Sequence, residues 1–355
     1  MNKKRLVSLV AAAVMTVSLF AGCGSQQQQQ GGTGTTGTKV KVGLATDEGG
    51  LNDKSFNQAA DMGIKKAAAE LNTVDYKAIE SKKKDEYQPN LQALVDNNSD
   101  IVFGVGFQMG DDMTAIAKKY PNKKFAIIDS EVKLPNVESL DFKEQEGSFL
   151  AGVVAGKMTK TNKIGFVGGK DFELINKFAA GYIAGAKSVN PSVKFDIRYA
   201  DDFANPTKGE ELATSMYTGG CDIVYHAAGG TGLGVFKAAK SLSKPNAKLW
   251  AIGVDQDQSV TVPEYADVIL TSMVKRVDNA TYNTVKDLSK GKFDGGQTKV
   301  FGLKEEGVDL APTSSKNIPK DVMDLVAKYK KAIVDGKIVV PTTKDDANKF
   351  VAPSI

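Results

Sequence analysis

A regular alternation of short β-rich runs with segments of helical length constrains the fold of this sequence more than any other feature. Two of the helical segments, residues 57–71 and 177–188, carry apolar residues at helical spacing. Strands separated by helices form parallel sheets covered by helices on both faces, so the sequence predicts an α/β fold. The predicted strands are residues 39–46, 75–80, 101–106, 125–129, 137–142, 163–168, 194–200, 222–227, 249–254 and 268–274.

The number of strands favours two lobes. A single ten-strand sheet is the alternative, but the roughly 315 residues after the N-terminal region exceed one typical domain. We predict that the first lobe contains residues 39–143 and about 275–295. The second lobe is predicted to contain residues 144–274 and about 296–355, although the sequence does not place residues 319–355 securely on either lobe.

The first 22 residues are typical of a lipoprotein signal peptide. Lys3, Lys4 and Arg5 precede an apolar stretch of residues 6–20, and two small residues then precede Cys23. The stretch is shorter than the ~20 residues that a membrane-spanning helix needs. We therefore predict that Cys23 is lipidated and that the mature protein is held on the extracytoplasmic face of the cell membrane. A plain secretory signal with an incidental thiol is the alternative.

Residues 23–38 have the composition of a flexible linker. Five glutamines and a Gly/Thr tract follow Cys23, and no large apolar residue is present to offset the entropy of ordering the chain. A linker of this length and composition spans roughly 20 Å on average. It would hold a folded body near the membrane without fixing its orientation.

Charge and cysteine usage exclude several classes of protein. Forty-six lysines and arginines against 42 carboxylates give a net charge of +4, which is spread over the sequence without a basic block. We therefore expect no nucleic-acid partner. Cys221 is the one cysteine after Cys23, so no intrachain disulfide is expected, and its apolar neighbours predict a small buried residue.

The sequence does not carry the motifs of the common hydrolases. It contains one histidine, His226, which stands at the end of an apolar strand and is predicted to be a core residue. No H-E-x-x-H, G-x-S-x-G or cysteine–histidine metal motif is present. We therefore expect neither an enzyme nor a metal or cofactor site.

Residues suited to ligand binding follow many of the predicted strands. In open parallel sheets, ligands bind beyond the carboxyl ends of the strands. Aromatic, acidic and glycine-rich segments occur there, including a glycine run at residues 229–234, for which a tight turn and an anion site remain alternatives. This pattern suits a flat polar ligand held between two lobes.

Several ordered motifs resemble one family. The segments DEGGLNDKSFNQAADMG, GFQMGDDM, FKEQEGSFLAG, KIGFVGG, AAGGTGLGV, GVDQDQ and SMVKRVDNA are similar to those of the basic membrane protein (BMP) family. The similarity spans residues 40–341, and the family comprises bacterial lipoproteins that are purine-nucleoside-binding subunits of ABC importers. The resemblance implies a type I periplasmic-binding-protein fold, with two doubly wound parallel-sheet lobes joined by a multi-stranded hinge.

The resemblance also implies a set of ligand-binding residues. Phe56 would stack on one face of the base and Phe203 on the other, while Asp47 and Asn57 would lie at the ligand. Asp53 would either bind the ligand or organise its loop.

For the sugar, the resemblance implies that Gly230, Asp255 and Lys275 hold the ribose. Asp255 and Lys275 are expected to form an enclosed charge pair that bonds to the sugar hydroxyls.

We therefore expect a monomeric lipoprotein that captures a nucleoside in an interlobe cleft and delivers it to ABC transporter permease subunits. A sugar- or furanose-signal-binding protein of the same fold is one alternative. A surface adhesin or immunostimulatory lipoprotein is another. A nucleoside hydrolase has the least support, because no site that could activate water is visible in the sequence.

Overall fold

The computed structural model describes residues 39–71 and 74–355, which belong to one compact unit. The predicted signal peptide, Cys23 and the linker up to residue 38 lie outside these residues. Among the helices of the described residues, none is long and apolar enough to cross a membrane.

The strands of the described residues form two sheets of six strands, one in each lobe. In the first lobe they are β1 (Val40–Ala45), β2 (Val74–Ile79), β3 (Ile101–Val105), β4 (Lys124–Ile128), β5 (Val137–Phe142) and β11 (Thr298–Phe301). In the second lobe they are β6 (Lys163–Gly168), β7 (Lys194–Tyr199), β8 (Ile223–Ala227), β9 (Trp250–Asp255), β10 (Ile269–Lys275) and β12 (Val308–Leu310).

The two sheets have matching topology. The strand order is β11-β5-β4-β3-β1-β2 in the first and β12-β10-β9-β8-β6-β7 in the second. All neighbouring strands are parallel except β10 and β12, which are antiparallel. The prediction of two parallel α/β lobes is therefore confirmed, and the single ten-strand sheet is wrong.

Helices cover both faces of these sheets, as the buried strands require. Strand β3, for example, is buried at every residue and has the continuous apolar sequence of a central parallel strand. The helices are α1 (Phe56–Leu71), α2 (Tyr87–Asp96), α3 (Gly110–Lys119), α4 (Glu144–Met158), α5 (Glu173–Val189), α6 (Pro206–Thr218), α7 (Leu233–Leu242), α8 (Gln258–Thr261), α9 (Val277–Ser289), α10 (Lys320–Val334) and α11 (Lys344–Lys349).

The chain crosses between the lobes three times within the described residues. The first crossing joins β5 to α4, which packs on α5 in the second lobe. The second joins β10 to α9, which packs on α1 in the first lobe. The third follows β11 at Phe301 and leads to β12. Together the three crossings form the hinge between the lobes.

Two short edge strands were not predicted, and one of them moves a predicted lobe boundary. β11 still pairs with β5, so the return to the second lobe comes after Phe301 and not at about residue 296. β11 and β12 have only four and three residues, with the sequences Thr-Lys-Val-Phe and Val-Asp-Leu, so neither has the apolar run of a buried strand. The C-terminal helices α10 and α11 pack on α4 and α5, which places them on the second lobe.

Glycines allow α4 and α5 to pack with their backbones in close contact. A Cβ atom at Gly152 would lie 2.2 Å from the Tyr182 carbonyl oxygen, and one at Gly185 would lie 1.9 Å from that of Phe149. Larger residues would therefore separate these helices. The packing fixes α5, whose N-terminal half reaches the space between the lobes.

Candidate functional site

A cavity lies between the lobes at the carboxyl ends of the strands of both sheets. The empty space that it encloses, including its opening to solvent, is about 500 Å³. Both lobes contribute to its wall, as expected for a ligand site between two open sheets. The structure brings seven of the eight predicted ligand-binding residues together in this wall, namely Asp47, Asp53, Phe56, Asn57, Phe203, Asp255 and Lys275.

The polar side-chain atoms of Asp53 and Asn57 form hydrogen bonds within the loop that precedes α1 and with its neighbour Asp47. The Asp53 carboxylate accepts hydrogen bonds from the backbone N–H groups of Ser55, Asn57 and Gln58, at 2.8–3.1 Å. The Asn57 amide donates to both Asp47 and Asp53 and accepts from the Asp47 N–H. These bonds satisfy the unpaired N–H groups at the start of α1. Of the two roles considered for Asp53, the contacts favour loop organisation.

Asp47 keeps one oxygen directed away from this network. Its Oδ1 accepts from Gly49 N–H at 2.9 Å and from the Asn57 amide at 2.7 Å. Its Oδ2 faces Gly106, where a Cβ atom would lie only 3.0 Å away. Burial raises the pKa of Asp47 to about 7, because the bonds from Asn57 and Gly49 only partly offset the loss of solvent. Asp47 can therefore bind a ligand as a carboxylate or as a carboxylic acid near neutral pH.

The second phenylalanine, Phe203, is held by the glycine-rich turn at residues 229–232. Thr231 in this turn donates its N–H to the Phe203 carbonyl at 3.1 Å and its hydroxyl to the Asp202 carbonyl at 2.9 Å. On its other side the ring packs against Gly169, where a Cβ atom would lie 2.0 Å from a ring carbon. The sequence around Phe203 therefore fixes the ring in the wall of the cavity.

Gly230 is the exception among the predicted ligand-binding residues. It lies behind the wall, where a Cβ atom would be 3.4 Å from the Phe203 carbonyl oxygen, and Gly229 lines the cavity in its place. Gly229 has a φ of 54° and makes the left-handed turn that lets the chain leave β8. The glycine run at residues 229–234 is explained by this turn and by close packing, since a Cβ atom at Gly232 would lie 1.9 Å from His226.

Lys275 does not form the predicted ion pair with Asp255. Its ammonium group lies 2.5 Å from Asp129 in the first lobe and 3.7 Å from Glu144 at the start of α4. Burial lowers the pKa of Lys275, but the three carboxylates of Asp129, Glu144 and Asp255 outweigh this effect and raise it above its ordinary value. Lys275 is therefore charged, and its direct partners are residues that the sequence analysis did not select.

Three phenyl rings surround the same ammonium group. Its Nζ lies 4.6 Å from the centre of the Phe56 ring, which belongs to the first turn of α1. Phe142 and Phe178 lie at 5.2 and 5.6 Å. Such contacts stabilise a cation and limit the positions that the side chain can occupy. Lys275 is thus a fixed point charge beside the ring of Phe56.

Asp255 is held by a residue of the opposite lobe. It accepts a hydrogen bond from the hydroxyl of Ser55, in the loop before α1. Two amides reinforce this contact, with Gln256 donating to the Ser55 carbonyl at 2.9 Å and Gln258 donating to the Lys54 carbonyl at 3.0 Å. Burial raises the pKa of Asp255 to about 6, although Lys275 and Ser55 lower it. The two lobes are therefore closed on each other at this side of the cavity.

Asp129 and Asp255 occupy equivalent positions in the two lobes. Each stands at the carboxyl end of a strand, β4 or β9, that has the same place in its sheet. Both adopt left-handed backbone conformations, with φ of 63° and 65°. Residues other than glycine adopt this conformation at a cost, and such strain is concentrated at functional sites.

Sequence reasoning missed Asp129, Glu144, Phe107 and Phe178. A signal existed for Asp129, because it follows the apolar strand β4 as Asp255 ends β9. Phe107 lies two residues after the end of β3, in a segment that the resemblance included. Glu144 and Phe178 lie within helices, and the sequence does not reveal which helical residues face the cleft.

Two residues outside the cavity match their predictions. His226 is fully buried and pairs through Nε2 with Gln258 at 2.9 Å, and burial lowers its pKa to about 4. Cys221 is a buried free cysteine. Both belong to the packing of the second lobe.

Comparison with known proteins gives consistent results over the whole described body. Residues 39–344 match the Bmp family, described as ABC transporter substrate-binding protein PnrA-like. A CD4+ T-cell-stimulating antigen of Listeria innocua is 41% identical, over 96% of this chain and 99% of the relative. The ABC transporter nucleoside-binding protein BmpA of Lactococcus lactis is 40% identical, over the same shares of the two chains.

A solved structure supports the architecture. The crystal structure of ABC transporter system solute-binding proteins from Aeropyrum pernix K1 has a TM-score of 0.78 and 29% identity to this chain. The match covers 87% of this chain and 96% of that chain. The two-lobe architecture is that of the type I periplasmic binding proteins.

Proposed function

Because this chain belongs to the Bmp family of PnrA-like ABC transporter substrate-binding proteins, we propose that the ligand it captures and delivers is a purine nucleoside. The observation that carries the proposal is the placement of Phe56 and Phe203 on different lobes in the wall of one cavity. A flat base could be enclosed between them when the lobes close. Stacking contributes ~1–3 kcal/mol per base and depends little on which base is bound.

The charged residues of the cavity suit a ribose. Lys275 can donate hydrogen bonds to sugar hydroxyls, and Asp129 and Asp255 can accept them. One cation and two carboxylates therefore take the place of the predicted pair of Asp255 and Lys275. Hydrogen bonds to charged groups contribute ~1.5–3 kcal/mol each. A 2′-deoxynucleoside would leave one of these buried groups without its partner. We therefore expect ribonucleosides to bind more tightly than their deoxy analogues.

The polar edge of the base would meet the loop before α1. Asp47 offers one oxygen that the loop does not use, whereas Asn57 and Asp53 are committed to holding Asp47 and α1. We propose that Asp47 contacts the base edge and that Asp53 and Asn57 position it. In this account Gly230 supports the turn behind Phe203 and does not contact the ligand.

Isothermal titration calorimetry of the chain without its first 23 residues tests the proposal. Guanosine, adenosine and inosine should each give saturable heat, with 2′-deoxyguanosine weaker than guanosine. D-ribose at millimolar concentration should not displace guanosine. Binding of ribose without binding of any nucleoside would favour the sugar-binding alternative and contradict the proposal.

We also propose that the protein acts on the extracytoplasmic face, anchored by a lipid on Cys23. The sequence before residue 24 supports this, with a short apolar stretch followed by a cysteine. Growth of the expressing cells with an alkyne-tagged palmitate should label the wild-type protein and leave Cys23→Ala unlabelled. Equal labelling of both proteins would contradict lipidation at this residue.

Catalysis is not part of the proposed function. Incubation of the protein with inosine should release no free hypoxanthine, and release above the buffer control would indicate a hydrolase. An adhesion assay tests the adhesin alternative. A cavity variant that lost nucleoside binding but kept adhesion would support that alternative.

A further inference from the structure

We infer that Phe172 is a positioning residue for ligand capture, although it lies outside the wall of the cavity. It directly precedes α5 in the second lobe, and its ring stacks on that of Phe107 in the first lobe. The ring centres are 4.5 Å apart and the planes differ by 12°. Phe107 lines the cavity, so Phe172 acts on the ligand through Phe107.

The stacked pair belongs to a short row of aromatic rings that leads into the cavity. Phe107 and Phe203 make a T-shaped contact, with ring centres 6.2 Å apart. Phe203 is the ring assigned to one face of the base. Phe172 therefore stabilises Phe107, and Phe107 stabilises Phe203, in the orientation that the closed cavity requires.

Polar contacts accompany the stack at the same mouth of the cleft. Lys170, two residues before Phe172, donates to the side-chain oxygen of Gln108 at 2.8 Å. It also lies 3.6 Å from the carboxylate of Glu48. Both partners belong to the first lobe, so these contacts and the stack all join one lobe to the other.

Opening of the lobes would separate these groups, because each contact joins one lobe to the other. Phe172 is 49% exposed even with its ring stacked, so it contributes little to the core of its own lobe. An interaction made in the closed state alone shifts the population towards that state and slows its opening. The ring thus affects how long a ligand is retained without touching it.

The inference rests on the proposed function for the identity of its ligand but not for its geometry. One measurement with guanosine and one without ligand therefore distinguish a failure of the inference from a failure of the proposed function. Stopped-flow measurement with guanosine should show a dissociation rate about 3- to 10-fold higher for Phe172→Ala than for wild type, the range expected for one lost aromatic pair. The association rate should change less. Phe172→Tyr, which keeps the stack, should restore the wild-type rate.

A ligand-free measurement uses spin labels at Ala115→Cys and Lys208→Cys, two exposed positions on α3 and α6 of opposite lobes. Phe172→Ala should raise the population with the longer distance between the labels and leave the melting temperature unchanged. Val339→Ala, a change at an 82% exposed residue of the second lobe, is the matched control and should change neither quantity.

The outcomes are distinct. If wild type binds no nucleoside, the proposed function fails and the distance measurement alone decides the inference. The inference is overturned if Phe172→Ala has the same distance distribution as wild type. Where wild type binds guanosine, the variant must also have the wild-type dissociation rate for this conclusion.

Discussion

The ammonium group of Lys275 lies 2.5 Å from the carboxylate of Asp129, although the two residues belong to different lobes. Lys275 ends β10, immediately before the second crossing, and Asp129 follows β4 in the first sheet. The ion pair therefore spans the cleft next to the hinge. Opening of the lobes would separate it and leave Lys275 with Glu144, which lies in its own lobe.

We expect Lys275→Met to reduce the free energy of unfolding by ~3–5 kcal/mol, because it leaves Asp129 and Glu144 buried without their cation. Adding Asp129→Asn should recover part of the loss, since one of the two unpaired charges is then removed. Urea denaturation of the two single variants and the double variant measures the coupling. Additive losses would show that the two residues do not act as a pair.

Phe56→Ala should weaken the binding of guanosine, adenosine and inosine by similar factors, ~1–3 kcal/mol in each case, because stacking does not read the base. Calorimetric titrations with the three nucleosides measure this. Phe142→Leu is a useful comparison, since Phe142 also contacts Lys275 but does not line the cavity. A loss confined to one nucleoside would contradict the stacking role of Phe56.

Gly169→Ala tests the support of Phe203. The added methyl group would lie 2.0 Å from the Phe203 ring and must displace it, so nucleoside affinity should fall. In a Phe203→Ala background the ring is absent, and the same change should have almost no further effect on affinity. If Gly169→Ala were equally harmful in both backgrounds, its effect would not act through Phe203.

The stability of the protein should depend on the protonation of Asp47. Burial raises its pKa from 3.8 to about 7, so the folded protein holds a proton that the unfolded chain releases at lower pH. This stabilisation is complete below about pH 4 and is lost as the pH rises through about 7. Asp47→Asn cannot lose a proton, so its free energy of unfolding should rise relative to wild type over this range, by at most ~1.4 kcal/mol per pH unit.

Urea denaturation at several values between pH 4 and pH 8 checks this prediction. Asp321→Asn, at an exposed position in the first turn of α10, is the control and should give a profile parallel to wild type. A constant difference between Asp47→Asn and wild type at all pH values would contradict the prediction.

The spacing of apolar residues predicts most of the fold. Buried parallel strands require continuous apolar runs, and amphipathic helices require apolar residues at helical spacing. β11 and β12 were not predicted, because edge strands of four and three residues bury little apolar surface and do not need an apolar run. Their positions depend on the neighbouring strands β5 and β10 more than on their own residues.

The site was predicted where local sequence decides the geometry and missed where the relation between the lobes decides it. Asp53 and Asn57 organise their loop through bonds within five residues of each other or to Asp47, which short motifs can encode. The choice of Asp129 over Asp255 as the direct partner of Lys275 depends on how the two lobes close. That relation involves residues 146 positions apart, and a single sequence does not show it.

A crystal structure of the chain without its first 23 residues, from crystals grown with guanosine, would show where the nucleoside binds. We predict that the base lies between the rings of Phe56 and Phe203, with the ribose hydroxyls bonded to Lys275 and to Asp129 or Asp255. Guanosine bound elsewhere on the protein, or within the cavity with its base away from both rings, would contradict the proposed binding site.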